Sequence, residues 1–412
     1  MQGRQTIQLE NRTSNPPNAG AKMNTRVFGT LFIAVFSVTL GVGLVVPLLP
    51  VYAHELGATG TYIGLIFGAF SLSRTVFLPY FGRLSDLKGR KPFLTTGLLA
   101  YFLVSLLYVV SKNVSFFILI RFVQGIASAM ILPVAQAYVG EITPKDKEGF
   151  MMGLFNVSLY AGLSIGPLVG GMVKDTLGIQ PAFLSMGLVS LLGFLLCLIL
   201  LPPRKLETLL RHSKPPLRYR ILLKNRHIGG LFIFRLAYTS CIGLVWAFLP
   251  LLAHTQFRLS SSAIGVLVML GVLTSGLLQT PMGLLADRLN KRALIATGGL
   301  ITAVAVSSFL LVKGFWGLFI ANVLFGVGGG ISVPAVMAMT VIIGRRTSSM
   351  GSVMAILTMG HSLGMFTGPM LAGIMTDAFR LSFAFAAGVF VMLIGVAAAL
   401  LLTSGFSTWA QE

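Results

Sequence analysis

Apolar runs of roughly 20 residues follow one another along almost the whole chain, separated by short polar turns. They fall near 27–52, 61–81, 92–111, 115–140, 149–173 and 181–202, then near 228–253, 261–284, 293–312, 316–343, 350–374 and 381–404. A run of about 20 apolar residues is long enough to cross a bilayer as a helix. Without water in the hydrocarbon, each such helix satisfies its own backbone groups. The pattern predicts an all-α integral membrane protein of twelve spans, numbered 1 to 12 below.

The pattern also repeats. Residues 82–91 read GRLSDLKGRK and 283–292 read GLLADRLNKR; residues 162–171 read GLSIGPLVGG and 364–373 read GMFTGPMLAG. Asp86 and Asp287, Pro133 and Pro334, and Gly166 and Gly368 are all offset by about 200 residues. Such an offset predicts a duplicated membrane domain in two parallel halves. The expected divisions are an N-terminal tail at 1–26, a six-helix bundle at 27–202, a basic linker at 203–227, a second bundle at 228–404 and a C-terminal tail at 405–412.

Composition sharpens the picture. The 412 residues are 55% hydrophobic and only 10% charged, against about 25% charged in a soluble domain. The net charge of +20 would ordinarily suggest nucleic acid. Here the cations sit in short loops between spans. Of the 31 Lys and Arg residues, 23 fall on the side shared by both chain ends, 5 on the other and 3 inside spans. The positive-inside rule then places both termini in the cytoplasm, with the bacterial inner membrane as the expected location. Residues 1–26 lack the apolar core of a secretory signal. Eight cations in the linker are expected to dock on anionic lipid headgroups. Cys197 and Cys241 lie in apolar runs and read as inert thiols. No metal-ligand spacing, phosphate loop or dinucleotide fingerprint is present; Gly326, Gly328, Gly329 and Gly330 follow no strand. No enzymatic activity and no cofactor is expected.

The residues GRLSDLKGRKP between spans 2 and 3 resemble the signature loop of the major facilitator superfamily. The resemblance extends over the chain beyond the N-terminal tail. Gly82 and Gly89 suit a tight turn. The resemblance implies a conformational latch in which Asp86 engages the start of span 11, near Ser348-Ser349, and Arg90 pairs with Glu141 at the end of span 4. Asp287 belongs to the second, degenerate copy, where Asn290 replaces Gly89. A loop charged only to fix topology is the alternative. In span 5, Gly162, Gly166, Pro167 and Gly170 resemble the antiporter signature of the twelve-helix drug:proton antiporters, and Gly364, Gly368 and Pro369 repeat it in span 11. Glycines spaced by four let helices approach closely, and proline bends the helix. This row is expected to be a hinge at the contact between halves, or else close packing alone. Span 1 reads LGVGLVVPLLP at 40–50, a further resemblance, with Pro47 and Pro50 placed to kink its outer end. Span 4 reads RFVQGIASA, and Arg121, Gln124 and Gly125 match a family motif facing the interior; Asn322 occupies the repeat position in span 10.

A charge within a span is costly, about 2.5–3.5 kcal/mol on insertion scales. Three arginines pay that cost: Arg74, Arg121 and Arg235. The superfamily's cavity-lining helices imply that Arg121 and Arg235 face a central cavity and that Arg74 borders it; structural packing is the alternative. None of the eleven carboxylates lies deep in a span. The cavity should be electropositive and suit neutral or anionic amphipathic cargo. His361, the one histidine inside a span as drawn, is the candidate proton carrier. Gln124, Gln136, Asn156, Tyr238, Gln279 and Asn322 are polar cargo candidates, with Phe234 and Trp246 as stacking partners.

The expected protein is a monomeric secondary transporter working by alternating access. It exports a small amphipathic molecule against protons, or takes up an organic anion by symport or uniport. A non-transporting membrane sensor or scaffold is the remaining class.

Overall fold

The computed structural model describes residues 25–143, 148–202, 224–347 and 350–406. The last two residues of the expected N-terminal tail belong to the first helix, while residues 1–24 of that tail, most of the basic linker and residues 407–412 of the expected C-terminal tail lie outside the described residues. Within them all twelve apolar runs are helical. Span 1 is Thr25–Val45, continued after a break by Leu48–Glu55. Spans 2 to 6 are Gly60–Lys88, Arg90–Val110, Val114–Ile142, Glu148–Leu177 and Ile179–Leu200. Spans 7 to 12 are Arg226–Phe257, Ser261–Arg288, Lys291–Ser308, Gly314–Arg346, Met350–Ala378 and Leu381–Leu402.

Ten of these helices are long and apolar enough to cross a membrane by themselves, among the described residues. The other two are spans 9 and 11. Span 9 is short and opens on Lys291-Arg292; span 11 is studded with Gly, Ser, Thr and His361. Bundle neighbours cover both. Large side chains such as Leu188, Ile199, Leu311 and Leu401 point outward, largely exposed where a bilayer would lie.

Proline explains the one broken span. Pro47 has no N–H to donate and its ring crowds the preceding turn, so span 1 parts at Val46-Pro47. Span 7 keeps only Pro250 and stays continuous.

The signature stretch is more helical than its glycines suggest. Span 2 runs through Gly82 to Lys88, and a Cβ at Gly82 would meet nothing within 4 Å. Gly82 therefore makes no turn. Polar residues at a helix end in water keep their helical backbone bonds, so charge alone does not stop the span. The turn falls on Gly89, with φ of 89°, a conformation favoured by glycine. In the second copy Asn290 does the work differently. Its side chain accepts from the N–H groups of Arg292 at 3.0 Å and Ala293 at 3.4 Å, capping span 9.

The helices form two six-helix bundles with the same internal packing. In the first, span 2 packs on 4, span 1 on 5 and 6, and span 3 on 4 and 6. In the second, span 8 packs on 10, span 7 on 11 and 12, and span 9 on 10 and 12. Two seams join the bundles, span 5 against 8 and span 2 against 11, and the duplication exchanges one seam with the other. The face where span 1 starts and span 12 ends is called proximal here; the opposite face is distal.

Candidate functional site: a central cavity under a closed distal face

The first N–H groups of a helix lack intrahelical partners and carry its positive dipole end. Spans 2 and 8 both begin on the distal face, and each start is bound by an aspartate from the other bundle. Asp175, at the end of span 5, accepts from Ser261 N at 3.0 Å, Ser262 N at 2.7 Å and Ser262 Oγ at 2.6 Å. Asp377, at the end of span 11, accepts from Gly60 N at 2.6 Å and Thr61 N at 2.8 Å. A third link joins Glu55, at the tip of span 1, to Lys174 at 3.5 Å and to His254 of span 7 at 3.8 Å. Both aspartates are among the eleven carboxylates outside the depth of the spans, and nothing in their immediate sequence assigns them a role. Their separation matches the repeat offset, and that was the signal available.

Below these clamps the helices approach backbone to backbone. A Cβ at Gly166 would fall 2.6 Å from Leu40 O, and one at Gly162 2.8 Å from Phe36 O. Gly170 meets Leu44 in the same way. In span 11, Gly364 and Gly368 press on Ser240 of span 7. These glycines thus pack within their own bundle, on spans 1 and 7, and not at the contact between halves. Glycine spacing announces a close neighbour without saying which. Residues on the adjacent face of the same motifs do reach across: a Cβ at Gly64 of span 2 would lie 2.6 Å from Pro369 O. Gly265 of span 8 abuts Pro167 likewise.

At the proximal face Arg90 is buried and gathers its own bundle. Its Nη2 contacts Asp86 and, at 3.0 Å, Glu141 Oε1; its Nη1 donates to Ser85 Oγ at 2.5 Å. Asp86 is largely exposed. Residues 348–349 and the side chain of Asp287 lie outside the described residues, so the expected partner of Asp86 does too.

Between the bundles, beneath the distal seal, lies a cavity of about 550 Å³. Spans 1, 2, 4 and 5 line it on one side and spans 7, 8, 10 and 11 on the other, with Tyr101 contributed by span 3. Arg74, Arg235, Tyr238, Asn322 and His361 all face it. So do Gln136, Asn156, Gln279 and Trp246. Arg235 Nη2 lies 3.4 Å from His361 Nδ1. Gln279 donates to the Tyr160 hydroxyl across the seam. Tyr238 stacks on Phe325 at 6.2 Å. No Asp or Glu is among the lining residues.

Arg121 and Gln124, expected in the cavity wall, lie outside it. Arg121 is buried; its Nε donates to Ile66 O at 3.2 Å and its Nη1 to Gln124 Oε1 at 3.0 Å. Its guanidinium sits 4.4 Å from the Phe70 ring centroid and 5.2 Å from that of Phe67. The reason is pairwise packing. From this height of span 4 the side chain reaches a backbone carbonyl of span 2, and aromatic faces accept the charge. Asn322 repeats the contact in the other bundle, its Nδ2 donating to Leu267 O of span 8. Both are pins between neighbouring spans, though Asn322 also borders the cavity. Phe234 is buried in the second bundle, away from the cavity.

The family model described as Major Facilitator Superfamily matches residues 31–260 and again 231–411. An uncharacterised MFS-type transporter of Methanocaldococcus jannaschii is 30% identical over 91% of this chain and 97% of its own length. The quinolone resistance protein NorA of Staphylococcus aureus is 26% identical, over 86% of this chain and 91% of its own. Among solved structures, the nucleoside transporter NupG superimposes with a TM-score of 0.78 at 13% identity, covering 92% of this chain and 99% of the other.

Proposed function

The chain belongs to the Major Facilitator Superfamily, and from that membership we propose that it is a proton-coupled antiporter exporting a small amphipathic compound, neutral or anionic, by alternating access. One observation carries this: a mid-depth cavity shared by the two bundles, closed on the distal face by a pair of symmetry-related clamps. Release of the clamps, with closure of the proximal side, would present the same cavity to the other face. The proximal face is taken as cytoplasmic because it carries most of the cations, in a bacterial inner membrane. The protein is taken to act as a monomer. In this state cargo enters from the cytoplasm.

Export rather than uptake is supported by the glycine–proline rows of spans 5 and 11 and by the likeness to a drug-resistance protein. His361 is proposed as the proton carrier, since it is the one imidazole in the cavity lining and lies against Arg235. Uptake of an organic anion is the alternative, favoured by two cavity arginines without a carboxylate beside them.

Inside-out vesicles of protein-expressing cells, loaded acidic and offered fluorescent amphipathic probes, test the proposal. Accumulation that collapses with a protonophore is expected. Cargo moving in the same direction as protons would establish uptake instead, and no flux with any probe would remove transport altogether.

A further inference from the structure

The cavity is not uniform along its depth. Its distal end is walled mostly by apolar side chains, Val42, Leu163, Val245, Leu249 and Val268, with the Trp246 indole and with Asn322, whose amide already donates to Leu267 O. Its proximal part gathers Arg74, Arg235 and His361, with Gln136, Asn156 and Gln279 nearby. These six residues come from six different spans; five lie in the half of their span nearest the proximal face, and Arg74 sits at the midpoint of span 2. A mostly apolar blind end thus sits above a polar, cationic mouth.

The cationic part is also incompletely partnered. Among the described residues three buried side-chain polar atoms have no hydrogen-bond partner: Arg74 Nε, the Tyr101 hydroxyl and Ser164 Oγ. The first two belong to residues of this cavity wall. Arg235 has one polar side-chain contact, the weak one to His361. A buried donor without an acceptor costs about 1–3 kcal/mol, and more when charged. Buried charges are ordinarily paired. Two guanidinium groups facing one hollow, with no carboxylate in its lining, leave their counter-charge to be supplied by whatever enters.

We propose that this proximal cluster is a headgroup subsite for an amphipathic organic anion, with Arg74 and Arg235 holding a single oxyanion and the hydrocarbon tail lying toward Trp246 and the distal apolar end. This deepens the proposal that the cavity is the cargo site, replacing neutral or anionic cargo by one chemical class. The fork of five N–H donors on each guanidinium suits a carboxylate or a phosphate monoester. A lipophilic cation would meet two like charges and no partner. A cavity of this volume falls within the range of small-molecule sites, about 300–1,000 Å³, and leaves room for a medium-length tail.

The test holds the tail constant and varies the head. Octanoate, octanamide and octylammonium are titrated into the full chain in discs of zwitterionic lipid, with Trp246 fluorescence as the readout and Trp316→Phe and Trp409→Phe removing the other indoles. Octanoate is expected to bind at least about tenfold more tightly than octanamide, and octylammonium more weakly still. Arg74→Gln and Arg235→Gln should each weaken octanoate by about tenfold while leaving octanamide within about twofold. Arg235→Lys, which keeps the charge, should restore part of the preference and guards against misfolding of the glutamine variant. Equal binding of acid and amide, preference for the ammonium, an anion preference that survives both glutamine variants, or no response to octanoate would each overturn the assignment. No gradient is imposed, so failure of proton-driven export would leave this result standing, and the reverse.

Discussion

Asp175 and Asp377 work chiefly on backbone, Asp175 with the Ser262 hydroxyl besides. Each spreads its two oxygens over consecutive N–H groups at a helix start, so most of its hold does not depend on which side chains open the facing span. Both aspartates are solvent-exposed, so each charge is worth roughly 0.5–1 kcal/mol at a helix N-terminus. Asp175→Asn or Asp377→Asn should therefore raise distal accessibility about two- to fivefold. The labelling rate of Val268→Cys by a membrane-impermeant maleimide would measure it, with Cys197 and Cys241 replaced by alanine. Arg121 belongs to packing instead. Arg121→Ala loses two ring contacts and two hydrogen bonds, and thermal stability should fall by about 2–4 kcal/mol. Binding to the cavity in the surviving folded fraction should change little, and a large loss of affinity at unchanged melting temperature would return Arg121 to the cargo site. The sequence exposed that a buried arginine stood in span 4 but not its destination, because a motif fixes a height along a helix more firmly than the direction of a long, flexible side chain.

Helices were legible almost throughout, because unbroken apolar runs admit little else in a bilayer. Their ends were less so. The polar stretch after span 2 looked like a loop, yet the helix continues to Lys88, since aqueous surroundings do not penalise a helix with charged flanks. Gly82→Ala should accordingly be neutral or stabilising by up to about 1 kcal/mol, as glycine in a helix interior costs that much relative to alanine. Gly166→Ala should do the reverse. Its Cβ would fall 2.6 Å from Leu40 O and 2.7 Å from Gly43 Cα, and forcing spans 1 and 5 apart costs about 1–3 kcal/mol. Melting curves of the two single variants in detergent would check both signs. The GxxxG spacing correctly announced close contact, but its partners, spans 1 and 7, came only with the fold. A row of small residues has no chemistry by which to name its neighbour.

At the level of the whole molecule, the duplication was the feature the sequence displayed most openly, and it predicts both seams once either is known. Charge movement follows from the proposed cycle. Exporting one monovalent anion against one proton carries two positive charges inward, whereas taking up the anion together with a proton carries none. An inside-negative potential should therefore accelerate export, each charge being worth about 2.3 kcal/mol per 100 mV. Flux in vesicles whose potential is clamped with valinomycin and potassium checks this, and potential-independent flux would favour electroneutral uptake. The two aspartate clamps stand on opposite sides of the pseudo-dyad, so neither bundle can swing away while either one holds. Distal opening is then an all-or-none event whose free energy includes both attachments together. A single substitution at 175 or 377 resets how long the transporter waits on each side of the bilayer without touching a residue that meets cargo. Turnover and selectivity are thereby separable traits, free to drift or be bred independently.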